Sequence, residues 1–170
     1  MNEFIYYFAY GSNLHPLRLR QRTPSCQTIG VSVLAGYALR LHKKGRDGSA
    51  KCNAFFTGSA QDRVHGVIYK IDMSEKCHLD QAESLGSGYH EKALDLSISP
   101  SVFRVFAYVA DGNYIDDTLK PFTWYKDVVL QGAQIHGLPA SYIETIAQLE
   151  ATQDPDKGRA ERYARILSSF

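Results

Sequence analysis

The chain has 170 residues, of which 44% are hydrophobic and 22% charged, so it can bury one sizeable core but is too short for two. Its 19 Lys and Arg against 18 Asp and Glu give a formal net charge of +1, without a run of like charges. This balance argues against a nucleic-acid or membrane partner and favours a small-molecule ligand. We expect one domain over residues 1–170, with a core at 4–149.

Three features indicate a cytoplasmic protein. The apolar stretches are far shorter than the roughly 20 residues of a membrane-spanning helix, and residues 1–3 lack the basic segment that begins a signal peptide. Cys26, Cys52 and Cys77 are widely spaced and form neither a disulfide framework nor a zinc motif, so we expect reduced, structural thiols. The oligomeric state is left open, and a homodimer is compatible with the sequence.

The first part of the chain carries strand signals. Residues 4–9 are aromatic and β-branched and predict a buried strand that runs into a turn at 10–13. A short helix is expected at 16–22. From 31 to 41 every second residue is apolar, which predicts one strand with core-facing residues Val31, Val33, Ala35, Tyr37, Leu39 and Leu41.

Two more strands follow a loop at 43–51 that is rich in glycine and lysine. Residues 52–57 and 64–71 predict these strands, and both faces of the second have apolar residues that favour burial. A helix is then expected at 74–85, which ends before Gly86.

Two strands and three helices complete the predicted elements. The strands are expected at 89–98 and 103–110, and the inward side chains of the second are Phe103, Val105, Ala107 and Val109. Helical spacing covers 124–137, and further helices are expected at 141–149 and about 159–168. This order of elements predicts an α+β fold, with a small, mixed, β-barrel-like sheet and surrounding helices.

The turn at residues 10–13 is the first candidate site. The backbone N–H groups of Gly11, Ser12 and Asn13 follow a buried strand and could converge on an anion, although these residues are also common in ordinary turns. Ser12 is a poor candidate for a nucleophile, because the G-x-S-x-G elbow is absent and Leu14 follows Asn13.

Glu83 is the second candidate. It lies near the end of the helix expected at 74–85, beside the packed side that Leu79, Ala82 and Leu85 mark. The negative end of the helix dipole and partial burial both make a carboxyl group at this place a better proton acceptor. The alternative is a solvent-exposed glutamate, which is the common state of this residue type. Asp80 is expected to point elsewhere.

No metal or cofactor site is predicted. The six histidines form no pair at ligand spacing, and the nucleotide-binding patterns G-x-G-x-x-G and G-x-x-x-x-G-K-[ST] are absent. Trp124 and Tyr125 stand where a helix is about to begin. The hydroxyl group of Tyr125 could meet a ligand there, or its ring could simply pack.

Two sequence stretches carry a resemblance to a known family. They are Y-F-A-Y-G-S-N-L at 7–14 and L-D-x-x-E…G-Y at 79–89. Together they resemble the signature stretches of the γ-glutamylcyclotransferase family. The likeness extends through V-H-G-V-I-Y-K-I at 64–71, A-Y-V at 107–109 and W-Y-K-D-V-V-L-Q-G-A…G-L-P at 124–139.

The resemblance implies a small α+β fold centred on a β-barrel, with a cavity and no cofactor, that converts γ-glutamyl amino acids into 5-oxoproline and the free amino acid. It assigns the catalytic glutamate to Glu83 and the ligand-facing tyrosine to Tyr125. It assigns the substrate-binding loop to Tyr7, Phe8, Ala9, Tyr10, Gly11, Ser12 and Asn13. Family members often have glycine after the catalytic glutamate; here it is Ser84, whose side chain is expected to narrow the pocket.

The implied partner is a small γ-glutamyl substrate, and two alternatives remain. One is a non-catalytic binding module of the same fold, in which Glu83 would be dispensable. The other is a cyclotransferase directed at γ-glutamylamines or at glutathione. These enzymes differ in the leaving group, which the loops at 45–51 and 111–121 are expected to sense. The sequence also leaves open whether the C-terminal helix closes the pocket or contacts a partner.

Overall fold

A curled sheet of five strands forms the centre of the protein. The computed structural model describes residues 3–168; Met1 and Asn2, in the segment where no signal peptide is expected, and Ser169 and Phe170 lie outside the described residues. The strands are β1 (Phe4–Ala9), β2 (Gln27–Ala35), β3 (Tyr37–Lys44), β4 (Ala50–Phe56), β5 (Arg63–Asp72), β6 (Tyr89–Ile98) and β7 (Ser101–Ala110). The helices are α1 (Pro16–Arg20), α2 (Lys76–Glu83), α3 (Thr123–Ile135), α4 (Ala140–Ala147) and α5 (Lys157–Leu167).

The strand order in the sheet is β2-β5-β1-β7-β6, and β3 and β4 form a separate antiparallel hairpin. β1 pairs antiparallel with β5 and parallel with β7, where Tyr7 lies opposite Phe106, so the sheet is mixed. Because β1 lies in the middle of the sheet, Phe8 and Ala9 are fully buried. The turn that follows β1 therefore starts from the buried centre of the sheet.

The two outer strands of the sheet curl toward each other. The Ser32 hydroxyl on β2 donates a hydrogen bond to the Ser97 carbonyl on β6, at 2.9 Å. Close by, Gly30 approaches Ile98 so tightly that a Cβ atom would lie 3.1 Å from the Ile98 side chain. These contacts confirm the predicted α+β fold with a barrel-like sheet.

The prediction of one strand from 31 to 41 is wrong. Gly36 has φ +80°, in the left-handed region that glycine adopts at little cost, and ends β2 before β3 begins. This turn also reverses the alternation, because Ser32 and Leu34 are buried before it and Tyr37 after it, whereas Val31 is exposed. The apolar alternation thus belongs to two strands that pair with different partners.

Strands β5 and β7 are buried on both faces in large part. In β5, Val64, Val67, Ile68 and Tyr69 all have at most 1% of their surface exposed, as the sequence predicts. In β7 only Val105 and Ala107 of the predicted inward residues are buried, and the opposite face is buried too, through Phe106, Tyr108 and Ala110. Helix α2 covers this second face, where the Tyr108 hydroxyl donates to Asp80.

The helices lie close to their predicted places, and α3 packs directly on the turn after β1. Gly132 of α3 faces this turn, and a Cβ atom there would lie 2.7 Å from the His15 backbone nitrogen and from the Leu14 side chain. Only glycine permits so close an approach. Among residues 3–168, no helix has the length and apolar character needed to cross a membrane.

Candidate active site

A cavity of about 270 Å³, here called the outer cavity, lies beside the turn after β1. Its walls come from this turn, from α1 and the segment after it, from the β3–β4 hairpin, from the end of α2, and from α3 and α5. Its lining residues are Ser12, Arg18, Arg22, Lys43, Gly45, Arg46, Asp47, Lys51, Ala82, Glu83, Ser84, Tyr89, Trp124, Tyr125, Arg159 and Tyr163.

A smaller space of about 20 Å³, the inner pocket, adjoins the outer cavity. Ser12, Glu83, Tyr89 and Tyr125 line both spaces and therefore stand at the boundary between them. The residues that line only the inner pocket are Tyr7, Tyr10, Gly11, Asn13, Cys52 and Tyr108. Burial raises the pKa of the Cys52 thiol to about 12, so this thiol is protonated at neutral pH and is no nucleophile.

Glu83 is the last residue of α2, and its side chain is 16% exposed. The Arg22 guanidinium donates to Oε1 of Glu83 in a short ion pair, and the Asn13 side-chain amide donates to the same oxygen at 3.0 Å. Oε2 receives no hydrogen bond from the described part of the chain. A solvent-exposed surface glutamate is thereby excluded, because Glu83 is held in a cavity wall with one oxygen fixed and one free.

Asn13 connects this carboxylate with the central strand. Its side-chain amide also donates to the Tyr7 hydroxyl at 2.9 Å, and its side-chain oxygen accepts from Arg22 at 2.8 Å. Four elements thus meet through Asn13: β1, the turn after it, the segment after α1, and the end of α2. The arrangement fixes Glu83 relative to the turn, which sequence spacing alone could not show.

Five tyrosines surround the inner pocket, and burial raises the pKa of each, so their hydroxyl groups are neutral. The hydroxyl groups of Tyr10, Tyr89 and Tyr108 donate to the Tyr108 carbonyl, the Cys52 carbonyl and Asp80. The other two accept hydrogen bonds: Tyr7 from Asn13, and Tyr125 from the Cys52 backbone N–H at 3.0 Å. Tyr7 and Tyr125 can therefore each donate to a ligand.

Helix α5 forms a wall of the outer cavity. Tyr163 stacks on Trp124 of α3, with ring centres 3.8 Å apart and planes 7° from parallel. Behind this stack, Asp154 accepts from the Trp124 indole N–H at 2.7 Å and from two nitrogens of Arg159 at 2.6 Å. The C-terminal helix thus forms one wall of the cavity within the same chain.

Comparisons with known proteins agree with this geometry. The model of the AIG2-like family matches residues 63–146, a segment that contains Glu83 and Tyr125. The γ-glutamylcyclotransferase of Homo sapiens is 29% identical over 154 residues, which are 87% of this chain and 80% of that protein. The Bos taurus enzyme is 28% identical over 151 residues, with the same coverage. A solved structure named γ-glutamyl cyclotransferase superposes with a TM-score of 0.86 at 26% identity, covering 99% of this chain and all of that one.

In sequence and in fold the chain is similar to γ-glutamylcyclotransferases. The resemblance seen in the two signature stretches is thereby confirmed. It extends over almost the whole chain in the structural comparison, and so includes α5, whose sequence carries little of the likeness.

Seven of the nine site residues that the family resemblance assigns lie at the two spaces. They are Tyr7, Tyr10, Gly11, Ser12, Asn13, Glu83 and Tyr125. Phe8 and Ala9 do not reach either space, because both are fully buried in the central strand and Phe8 packs against Gly66 and Tyr10. Their assignment as substrate-binding residues stays a prediction, and neither space supports it.

Sequence reasoning missed several residues of the site. Arg22, which pairs with Glu83, gave no signal, because it was expected at the end of a helix that stops at Arg20. Tyr89 and Tyr108 were part of the family-like stretches G-Y and A-Y-V, so their identity was visible but their role was not. Of the two loops expected to sense the leaving group, 45–51 lines the outer cavity and 111–121 does not.

Proposed function

We propose that this protein is a γ-glutamylcyclotransferase that releases an amino acid or amine from a γ-glutamyl amide and forms 5-oxoproline, with Glu83 as the group that moves the protons. The observation that carries the assignment is the Glu83 carboxylate in the cavity wall, with Oε1 bonded and Oε2 free. The reaction class is supported by the relatives of that name, which align with 87% of the chain.

In this reaction the substrate supplies its own nucleophile. Its α-amine attacks its γ-carbonyl carbon, a five-membered ring closes, and the bond to the leaving nitrogen breaks. Well-oriented intramolecular attack reaches effective molarities on the order of 10⁵ M or more. The main task of the cavity is therefore to hold the glutamyl chain bent, and no serine or cysteine nucleophile is needed.

Glu83 has the geometry of the proton carrier. The α-amine arrives as an ammonium group and loses two protons on the way to the ring amide, while the leaving nitrogen gains two when it departs as an ammonium group. A single carboxylate between these nitrogens can act as general base and then as general acid, so no net acid or base is consumed. Arg22 and Asn13 hold Oε1, which leaves Oε2 for this transfer.

The inner pocket offers donors for the oxyanion that develops on the γ-carbonyl. Tyr7 and Tyr125 are neutral and have hydroxyl protons for such an acceptor. In the turn, the Leu14 N–H donates a hydrogen bond to the Gly11 carbonyl. The backbone N–H groups of Ser12 and Asn13, which precede Leu14 in the turn, can donate hydrogen bonds to the α-carboxylate of the substrate.

The alternatives make different use of the same cavity. A binding module would have no need for a carboxylate that Arg22 and Asn13 hold at one oxygen only, so the Glu83 network favours an enzyme. A cyclotransferase that acts on γ-glutamylamines or glutathione would use the same chemistry and would differ only in the leaving group. We also propose the cytoplasm as the location, because Cys26 and Cys52 are buried free thiols, which suit a reducing compartment.

The test is release of 5-oxoproline from γ-glutamyl-alanine, γ-glutamyl-ε-lysine and glutathione, with wild type and Glu83→Gln compared. We expect kcat to fall by about 10²–10⁴ in Glu83→Gln, the typical contribution of a general acid–base group. Glu161→Gln, on the exposed face of α5, is the matched control and should keep the wild-type rate. Full activity of Glu83→Gln would overturn the role of Glu83, and no release from these three substrates or from the acidic conjugates named below would overturn the cyclotransferase.

A further inference from the structure

Charge is distributed unevenly between the two spaces. Among the described residues that line the inner pocket, Glu83 is the one acidic side chain and there is no basic one. The outer cavity, in contrast, has six basic side chains and two acidic ones. The basic residues are Arg18, Arg22, Lys43, Arg46, Lys51 and Arg159, and the acidic residues are Asp47 and Glu83.

Three of these cations are neutralised by carboxylates of the protein. Arg22 pairs with Glu83, Lys51 with Asp47 at 2.7 Å, and Arg159 with Asp154 at 2.6 Å. The other three basic residues form no ion pair with any carboxylate of residues 3–168. These three are Arg18, Lys43 and Arg46.

Arg18 and Lys43 are buried as well as unpaired, with 8% and 4% of their surface exposed. Both contact neutral groups. Nε of Arg18 donates to the Ser12 hydroxyl at 3.0 Å and its guanidinium lies over the Tyr163 ring, while the Lys43 ammonium lies 4.5 Å from the Tyr89 ring centre. Burial lowers the pKa of Lys43, which reflects the cost of taking this charge out of water.

A buried cation without a counter-charge is costly, unless an anion occupies the site when the protein works. Arg18 and Lys43 come from different walls, on α1 and β3, and Glu83 stands at the boundary between these walls and the inner pocket. A γ-glutamyl group with its amide at Glu83 would therefore extend its leaving amine into the cationic outer cavity.

We propose that the leaving amine carries an acidic side chain, so that the preferred substrates are γ-glutamyl conjugates of glutamate or aspartate, alone or at the start of a peptide. The inference rests on the cyclotransferase function proposed above and names its substrate class. Any γ-glutamyl amino acid brings two carboxylates, on the glutamyl group and on the leaving residue. The turn at Ser12 and Asn13 takes the glutamyl carboxylate, so an ordinary leaving residue brings one carboxylate to the three unpaired cations. An acidic side chain adds a second.

The proposal can be tested with a pair of substrates that have almost the same shape, γ-glutamyl-glutamate and γ-glutamyl-glutamine. We expect kcat/KM to be about tenfold or more higher for γ-glutamyl-glutamate, as for a charge pair in a partly desolvated site. γ-Glutamyl-aspartate against γ-glutamyl-asparagine should give the same order. Equal values within both pairs, with 5-oxoproline released, would overturn the acidic preference but not the cyclotransferase function. No release from these four, with release from γ-glutamyl-alanine, would also overturn the preference alone. No release from any γ-glutamyl substrate tested would overturn both.

Adjacent lysines on β3 provide a matched pair of variants. Lys43 lines the outer cavity, whereas Lys44 is exposed and does not. In Lys43→Gln we expect the glutamate-to-glutamine ratio of kcat/KM to fall at least about threefold, because one of the charges that selects the acidic group is gone. In Lys44→Gln the ratio should stay at the wild-type value.

Lys43 is buried, so a second variant is needed in case Lys43→Gln does not fold, and Arg46→Gln serves this purpose. Arg46 is exposed at the mouth of the outer cavity, so its replacement disturbs no core packing. A smaller fall of the same ratio is expected, because an exposed charge is screened by water. Wild-type ratios in both Lys43→Gln and Arg46→Gln would show that the cationic wall does not select the substrate, and would overturn the proposal.

Discussion

Ser84 holds a backbone conformation that few side chains adopt. With φ 56° and ψ 47° it ends α2 in the left-handed region, and among residues 3–168 it is the one residue other than glycine with positive φ. This conformation costs roughly 1–2 kcal/mol for an ordinary residue. The glycine that family members often have here would avoid the cost, so the departure at Ser84 concerns the backbone as well as the width of the pocket.

Replacing Ser84 by glycine should therefore stabilise the protein. We expect the free energy of unfolding of Ser84→Gly to rise by about 0.5–1 kcal/mol, since the relief of strain is partly offset by the greater freedom of glycine when unfolded. Urea unfolding at neutral pH measures this change. Ser84→Ala removes the hydroxyl group but retains the strained backbone, and an equal gain in this control would contradict the explanation.

At the level of single residues, the sequence predicted the site where the signal was local. The composition of residues 10–13 indicated the turn after β1. The packed side of α2 was predicted only in part, because Leu79 is buried whereas Ala82 and Leu85 are exposed. Arg22 could not be predicted, because its contact with Glu83 spans 61 residues and arises only when the segment after α1 folds back. Phe8 and Ala9 belong to the signature stretch, but a motif does not show which of its side chains face a ligand.

Among the elements, α5 depends on one buried carboxylate for its position. Asp154 accepts hydrogen bonds from Arg159 on α5 and from Trp124 on α3. The Arg159 hydrogen bonds hold the pKa of Asp154 well below its usual range. A carboxylate with a lowered pKa stabilises the folded state fully above the pKa of the unfolded chain, and this stabilisation is lost as pH falls toward the folded value.

Asp154→Asn should thus destabilise the protein in a pH-dependent way. At pH 7 we expect a loss of about 2–3 kcal/mol of unfolding free energy, the scale for buried hydrogen bonds to a charged group. The difference from wild type should shrink as pH falls below about 3.9, the usual pKa of an unfolded aspartate. Denaturant unfolding at pH 7 and pH 3 tests this; Glu150→Gln, in an exposed pair with Lys120, should show little change at either pH.

The ends of secondary-structure elements were predictable where a glycine or proline in the sequence ends or begins the element. The end of α2 before Gly86 and the start of α4 after Pro139 agree with the sequence within a few residues. The β2–β3 region failed for a physical reason: apolar alternation has the same period on both sides of Gly36, and only the positive φ of this residue reverses which side faces the core. A two-residue period cannot reveal such a reversal.

At the scale of the whole molecule, closure of the sheet relies on contacts between its outer strands. Ser32 is buried, and its hydroxyl group donates to Ser97 across the gap between β2 and β6. The α+β class and the barrel-like sheet followed from the order of elements. The strand order β2-β5-β1-β7-β6 did not, because pairings between distant segments leave no periodic signal in the sequence.

Removing the closing hydrogen bond should weaken the whole sheet. We expect Ser32→Ala to lower the free energy of unfolding by about 0.5–1.5 kcal/mol, the net value of a single hydrogen bond, because the part-buried bond to the Ser97 carbonyl is lost. Equilibrium urea unfolding with a spectroscopic probe of the sheet measures the effect. Ser101→Ala, at the exposed start of β7, is the control, and an equal loss there would show that closure is not the cause.

The walls of the outer cavity are drawn from Ser12 to Tyr163, so the site is complete only once α5 has been synthesised. A nascent chain that has made Glu83 and Tyr125 still lacks the α5 wall, with Arg159 and Tyr163. It would present its proton carrier in an open groove, where water reaches the reacting groups and the substrate is not held bent. A premature stop before Arg159 would produce the same state permanently, with the Glu83 carboxylate intact and the α5 wall missing.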